Sequence, residues 1–187
     1  ERNARPYDEL FTGSNRPVQP IGHRLISQLF YDSLALSAWK QYGSSRWALR
    51  INPSSGNLHP TEAYALLPPL SGISHAPTLC HYVSELHALE QRASLPDEVW
   101  QHLRKKLPDD SFLLGLSSIL WREAWKYGER AFRYCQHDIG HALAALRFSA
   151  VLCGWDLQLV QGWSTVDMAM LLGLDRSDEF CDEEREE

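Results

Sequence analysis

The chain has 187 residues, 44% hydrophobic and 22% charged, an ordinary globular composition that excludes an intrinsically disordered or collagen-like chain. Its formal charge of −6 resides in residues 175–187, which hold eight acids and two arginines; the other 174 residues balance 16 acids against 16 bases. A neutral body argues against binding along a nucleic-acid backbone, and no apolar run approaches the roughly 20 residues of a membrane-spanning helix.

Residues 1–22 contain three prolines and two glycines and read as an irregular lead-in to one domain, 23–174. Residues 175–187 read as an acidic tail or a truncated insertion. Leu25, Ile26, Leu29, Phe30, Leu34 and Leu36 recur at mostly helical spacing and predict a helix over 24–38. The segment Arg46–Leu67 is turn-forming at its centre and predicts a strand over 62–67. A second strand is expected at 79–83, then a helix from Asp97 to Leu107, with Pro96 before it and Pro108 after it. Phe112–Leu120 is short and apolar on both faces, as a buried strand would be. Residues 127–154 predict a helix of about 40 Å, with Gly140 at its middle costing about 1 kcal/mol relative to alanine. A strand is expected over 156–160, and a helix from Thr165 to Leu172 with Ser164 as its cap. Strands and helices alternate irregularly, so the class is α+β: a mixed, mainly antiparallel sheet flanked by helices. The cysteines Cys80, Cys135, Cys153 and Cys181 form no Cys-x-x-Cys pair. They read as reduced thiols, which makes a cytoplasmic location the expectation.

Four segments have compositions that suit chemistry. Asn52–Pro60, NPSSGNLHP, sets small polar side chains and one glycine between prolines, after Arg50. Such a segment can line a phosphorylated or heteroaromatic ligand, or form an ordinary surface turn. KYGERAFRY, Lys126–Tyr134, places Lys126, Arg130 and Arg133 at i, i+4 and i+7. Three cations at a helix start oppose the macrodipole unless an anion offsets them; a solvated face is the alternative. HDIGH, His137–His141, has the spacing of a zinc motif, but no third ligand stands out and no metal is assigned; packing at a helix crossing is the alternative. LVQGW, Leu159–Trp163, reads as a strand end running into glycine and a helix start.

In this order the segments resemble the FMN-dependent nitroreductase superfamily over roughly Ile21–Leu174, and most of all its branch of dehydrogenases that oxidise thiazolines and oxazolines in modified peptides. NPSSGNLHPTEAY is similar to the family's Pro-Ser-Ser segment and following strand, WKYGERAFRY to the branch's Lys-Tyr-Gly-x-Arg segment, DIGHALAAL to the next helix, and LVQGW to the strand-to-glycine turn under the flavin. The resemblance implies FMN lined by Pro53, Ser54, Ser55 and Asn57. It also implies a backbone N–H of Gly162 at flavin N5, Gln161 where many relatives carry glutamate, and catalytic roles for Lys126 and Tyr127. Arg50 and Arg130 are the candidate cations for the ligand's charged or polar atoms. Relatives begin with an Arg-x-Ser-x-Arg segment; here TGSNRPVQPIGH offers only Arg16 and Arg24. They also continue past LLGLD into a last strand and arm, where this sequence runs into DEEREE, so part of the phosphate anchor is expected from another segment. The implied assembly is a homodimer or a tandem pseudo-dimer, with small residues Gly140, Ala144 and Ala145 at its interface. The implied substrate is a small molecule or modified peptide. Two other readings are a noncatalytic half of a tandem protein that completes a partner's site, and a metal hydrolase built on HDIGH.

Overall fold

The computed structural model describes residues 7–11 and 17–176. Arg16, Cys181 and most of the acidic segment lie outside them. The architecture is α+β, in three layers. A four-stranded antiparallel sheet runs in the order β5-β4-β3-β6, built from β3 (Thr61–Leu67), β4 (Thr78–Val83), β5 (Ala88–Ser94) and β6 (Leu113–Ser118). Helices α1 (His23–Tyr31) and α4 (Ala131–Leu152) cover one face, and α2 (Asp97–Arg104) and α5 (Thr165–Leu172) the other. Strand β3 explains the layering. Every residue of TEAYALL is buried. With side chains alternating across the pleat, Ala63, Ala65 and Leu67 meet Ile26, Phe30 and Leu146, while Tyr64 and Leu66 meet Trp100 and Leu172. Gly115 of β6 lets α5 close on the sheet, since a Cβ there would lie 2.8 Å from Leu172.

The expected helix over 24–38 ends at Tyr31. Leu36–Tyr42 (β1) instead turns back on Ser45–Arg50 (β2) as a separate antiparallel hairpin, with Gly43 at φ +56 in the turn. Leu34 does fill the core, which is why its spacing suited a helix, but Ser33 caps the helix end by donating its hydroxyl to Leu29 O at 2.6 Å. Trp39 on β1 lies under Arg46 of β2, 4.3 Å from ring centroid to guanidinium carbon.

The expected helix over 127–154 is two helices, α3 (Trp121–Tyr127) and α4, joined by a 3-10 turn, Gly128–Arg130. Gly128, at φ +56 and ψ −134, breaks the helix, so Lys126, Arg130 and Arg133 do not share one helical face. No strand forms over 156–160; the stretch is extended loop, with Leu159 78% exposed. Strand β5 lacked a sequence signal because ALEQRAS is a polar edge strand with one wet face. Ser164 does cap α5, and with Asp167 it forms a capping box. Cys80, Cys135 and Cys153 are buried thiols. Among the described residues no helix is long and apolar enough to cross a membrane.

Candidate functional site

The loop after β2 is held in an unusual conformation. Gly56, Asn57 and His59 all have positive φ, at +64, +60 and +50. For residues with a Cβ this region is disfavoured, so surrounding contacts must impose it. Asn57 Nδ2 donates to Ala48 O at 2.8 Å, and Asn57 Oδ1 lies 2.9 Å from His59 Nε2. The His59 backbone N–H donates to Ser54 Oγ at 2.9 Å. With the Asn57 amide oriented by Ala48, His59 carries its proton on Nε2. Burial, then the charges of Arg50 and Arg122, lower the His59 pKa to about 4, so the imidazole is neutral at pH 7.

Helix α4 fastens this loop from outside. The Ser55 N–H donates to Asp138 Oδ1 at 3.2 Å, and His141 Nδ1 donates to Pro53 O at 3.2 Å. Asp138 and His141 stand three residues apart, on one helix face. HDIGH therefore acts as a clasp on the NPSSGN loop, with His137 exposed.

The tip of the loop meets the second motif. A Cβ on Gly56 would lie 2.5 Å from Tyr127 Oη and 2.7 Å from Lys126 Nζ. The absent side chain is what admits the hydroxyl and the ammonium. Tyr127 packs against Tyr134 with centroids 4.5 Å apart, and Lys126 Nζ lies 5.4 Å from the Tyr127 ring centroid. Lys126 is exposed and Tyr127 half-buried.

Behind this pair lies a buried acid that the sequence reading missed. Glu123, one turn before Lys126 and Tyr127 on α3, is 0% exposed, and neither carboxyl oxygen has a hydrogen-bond partner among the described residues. Asp138 is also 0% exposed, and its Oδ2 has no hydrogen-bond partner among the described residues. Burial first, then the charge of Asp138, push the Glu123 carboxyl up to about 7, against the opposing pull of Lys126. The sequence signal was a glutamate on the same face as Tyr127, at i and i+4.

Arg50 turns away from the loop tip. It donates Nη1 to Thr61 O at 3.1 Å, and burial lowers its pKa. Beside it Arg122, absent from the sequence candidates, donates to His59 O at 3.0 Å and pairs with Glu62. Glu62 also meets His81 Nε2 at 2.8 Å. Burial raises the Glu62 pKa, but the His81 hydrogen bond and Arg122 outweigh it and hold the carboxyl below its ordinary range. These groups brace the loop's C-terminal end.

Arg130 is exposed on the 3-10 turn, and Gln161 and Gly162 are exposed before α5. Gly162 has φ +85, and a Cβ there would meet nothing within 4 Å. The structure thus brings Pro53, Ser54, Ser55 and Asn57 together with Lys126 and Tyr127, and leaves Gln161 and Gly162 open.

The three-layer arrangement has solved counterparts. A protein described as a nitroreductase from Anabaena variabilis superposes with a TM-score of 0.71 and 26% identity, over 81% of this chain and 32% of its own. The fold is nitroreductase-like. A chain of the E. coli microcin synthetase McbBCD complex, solved with truncated pro-MccB17 bound, superposes at TM-score 0.67 and 21% identity, over 91% of this chain and 67% of its own. This chain therefore spans about a third of the length of the Anabaena protein. Its sequence matches no family model and no curated protein.

Proposed function

We propose that this chain is the flavin-binding part of a nitroreductase-like oxidoreductase that dehydrogenates a ring in a small molecule or modified peptide, of the thiazoline or oxazoline kind. The observation that carries it is the seating of Lys126 Nζ and Tyr127 Oη in the space left by Gly56, at the tip of the Pro53–Asn57 loop. Two stretches of chain 70 residues apart meet there, and the fold around them is that of nitroreductases.

The side chains fit FMN selectively. Asn57 is committed at both ends of its amide and serves as a brace. Ser54 accepts from His59 but keeps its hydroxyl proton to donate, and the Ser55 hydroxyl is uncommitted among the described residues. Lys126 and Arg130 are exposed cations with room for a phosphate or a polar ring edge. Pro53, Ser54 and Ser55 would line the flavin, Gly162 and Gln161 would approach it from the α5 side, and Arg130 rather than the inward-turned Arg50 would meet its charge. When bound, FMN supplies a two-electron acceptor. Lys126 and Tyr127 would orient the substrate beside it and carry the substrate proton that leaves with the hydride.

The assembly proposed is two-fold, as a homodimer or with a second nitroreductase-like unit. On α4, Gly140 has nothing within 4 Å of where its Cβ would be, and the helix exposes Phe132 and Leu143. A second reading is the noncatalytic half of a tandem protein; the exposed Gln161–Gly162 turn favours it, because that side of the site is unfinished within the described chain.

Flavin absorbance of the purified protein, followed by bleaching with a chemical reductant, tests the cofactor. Stoichiometric, reducible FMN that is lost in Ser54→Leu with the fold intact supports the first reading. Colourless protein that gains no flavin on reconstitution overturns it in favour of the second.

A further inference from the structure

A cavity lies away from this site, between α1, the Gly72 loop and the β4–β5 edge. Its volume is about 290 Å³, close to the lower end of small-molecule sites, roughly 300–1,000 Å³. Phe30, Ile73 and Leu89 give it apolar walls, and Ser27, Tyr82 and His87 give it one polar wall.

That polar wall is a continuous chain. Ser27 Oγ lies 2.9 Å from His87 Nε2, and His87 Nδ1 lies 2.8 Å from Tyr82 Oη. The chain is held from several sides. Tyr82 stacks on Phe30 at 4.4 Å between centroids, and Tyr31 meets the His87 ring edge-on at 5.3 Å. His87 itself sits at φ +49, a conformation its environment must impose. At the mouth, Gly72 at φ +85 admits the His23 imidazole, whose Nδ1 would lie 3.3 Å from a Cβ at that position.

A proton count shows what the wall offers. With His87 neutral, the three groups carry three polar hydrogens and use two in the two hydrogen bonds. One remains, on Tyr82 or on Ser27 according to the imidazole tautomer. Burial raises the Tyr82 pKa, so its hydroxyl keeps its proton. Either tautomer therefore presents one donor beside apolar walls.

We propose that this cavity is a binding site for a small, flat, largely apolar molecule with one acceptor oxygen, an aromatic amide or carboxylate, which receives the proton left over by the Ser27–His87–Tyr82 chain. The proposal is independent of the flavin reading.

The test is a titration of the full chain, labelled at histidine, with benzamide, benzoate and benzylamine, followed by NMR of the imidazole C–H groups. Saturable shifts at His87 and His23 with benzamide or benzoate, and none there with benzylamine, are expected; His137 and His141 stay still. Binding should weaken about 5–10-fold in whichever of Tyr82→Phe and Ser27→Ala removes the spare donor, the loss of one hydrogen bond, and vanish in Ala88→Phe, which fills the cavity. Ser27 is exposed on α1 and Ala88 half-buried on β5, so their variants keep the test where Tyr82→Phe unfolds. Linear shifts without saturation, equal response to benzylamine, or binding unchanged in Ala88→Phe would overturn the proposal.

Discussion

The Pro53–Asn57 loop and the Gln161–Gly162 turn are proposed to meet the same flavin, and they are built in opposite ways. The loop is braced by Ala48 from β2, by Asp138 and His141 from α4, and by the Lys126–Tyr127 pair from α3. The turn is exposed, and Gly162 has open space around it. A cluster tied to three elements is shaped before any ligand arrives. An exposed turn takes its final environment from whatever lies against it. On that proposal, the chain's own packing preorganises one half of the site and leaves the other half open.

The contrast breaks most sharply at Asp138. Asp138→Ala removes the acceptor of the Ser55 N–H and should cost about 1–3 kcal/mol, read by denaturant unfolding, with loss of any bound flavin. Asp138→Asn keeps an oxygen for Ser55, and its amide can donate toward Glu123. It should cost much less, and it should bring the Glu123 carboxyl down toward its ordinary range. Equal losses in the two variants would mean that the brace is not the Ser55 hydrogen bond.

Gly56→Ala comes next. It forces an L residue into the left-handed region, costing about 1–2 kcal/mol. Its methyl also displaces the Tyr127 hydroxyl and the Lys126 ammonium, which are flexible side-chain ends that can move. Substrate turnover should therefore fall by at least tenfold with only a modest drop in Tm. Turnover at the parental rate would detach the loop from the Lys126–Tyr127 chemistry.

The pH dependence of stability separates two buried groups of the braced region. Glu123 titrates near 7 in the fold, above its ordinary 4.5. The native state then holds more protons, so the Glu123 contribution is complete below about 4.5 and is lost as pH rises through 7. His59 is lowered from 6.5 to about 4. Its contribution is complete above 6.5 and is lost as pH falls through 4. The two windows overlap with opposite slopes, so Glu123→Gln should leave a Tm that rises between about pH 4 and 6.5, and His59→Gln a Tm that falls between about pH 4.5 and 7. A profile unchanged in both variants would mean that neither group is held out of water as described.

The smallest effect is expected at the open turn. Gly162→Ala has no neighbour to displace and should cost about 1 kcal/mol, the backbone term alone, with the Tyr127 and Tyr134 aromatic signals unmoved. A larger loss, in the presence of FMN or at high protein concentration, would show that the turn is covered in the assembled protein and would narrow the contrast.

The sequence by itself determined the features that depend on local pattern. Residues 62–67 announced a strand, Ser164 announced a helix start, and NPSSGN and KYG announced the loop and the pair that meet at Gly56. Periodicity, caps and turn residues are written within a few residues of where they act. It misjudged the segments where two structures share one pattern. Leu34 and Leu36 suited a helix until the Ser33 cap and the pairing of β1 with β2 took over, and Gly128 split a helix whose apolar spacing ran on either side of it. Only the tertiary structure decided that HDIGH clasps the loop, that Arg50 faces Thr61, and that Glu123 is buried behind Lys126 with no hydrogen-bond partner among the described residues. Burial, hydrogen-bond partners and the charges that move a pKa come from residues distant in the chain, and distance in the chain says nothing about distance in space.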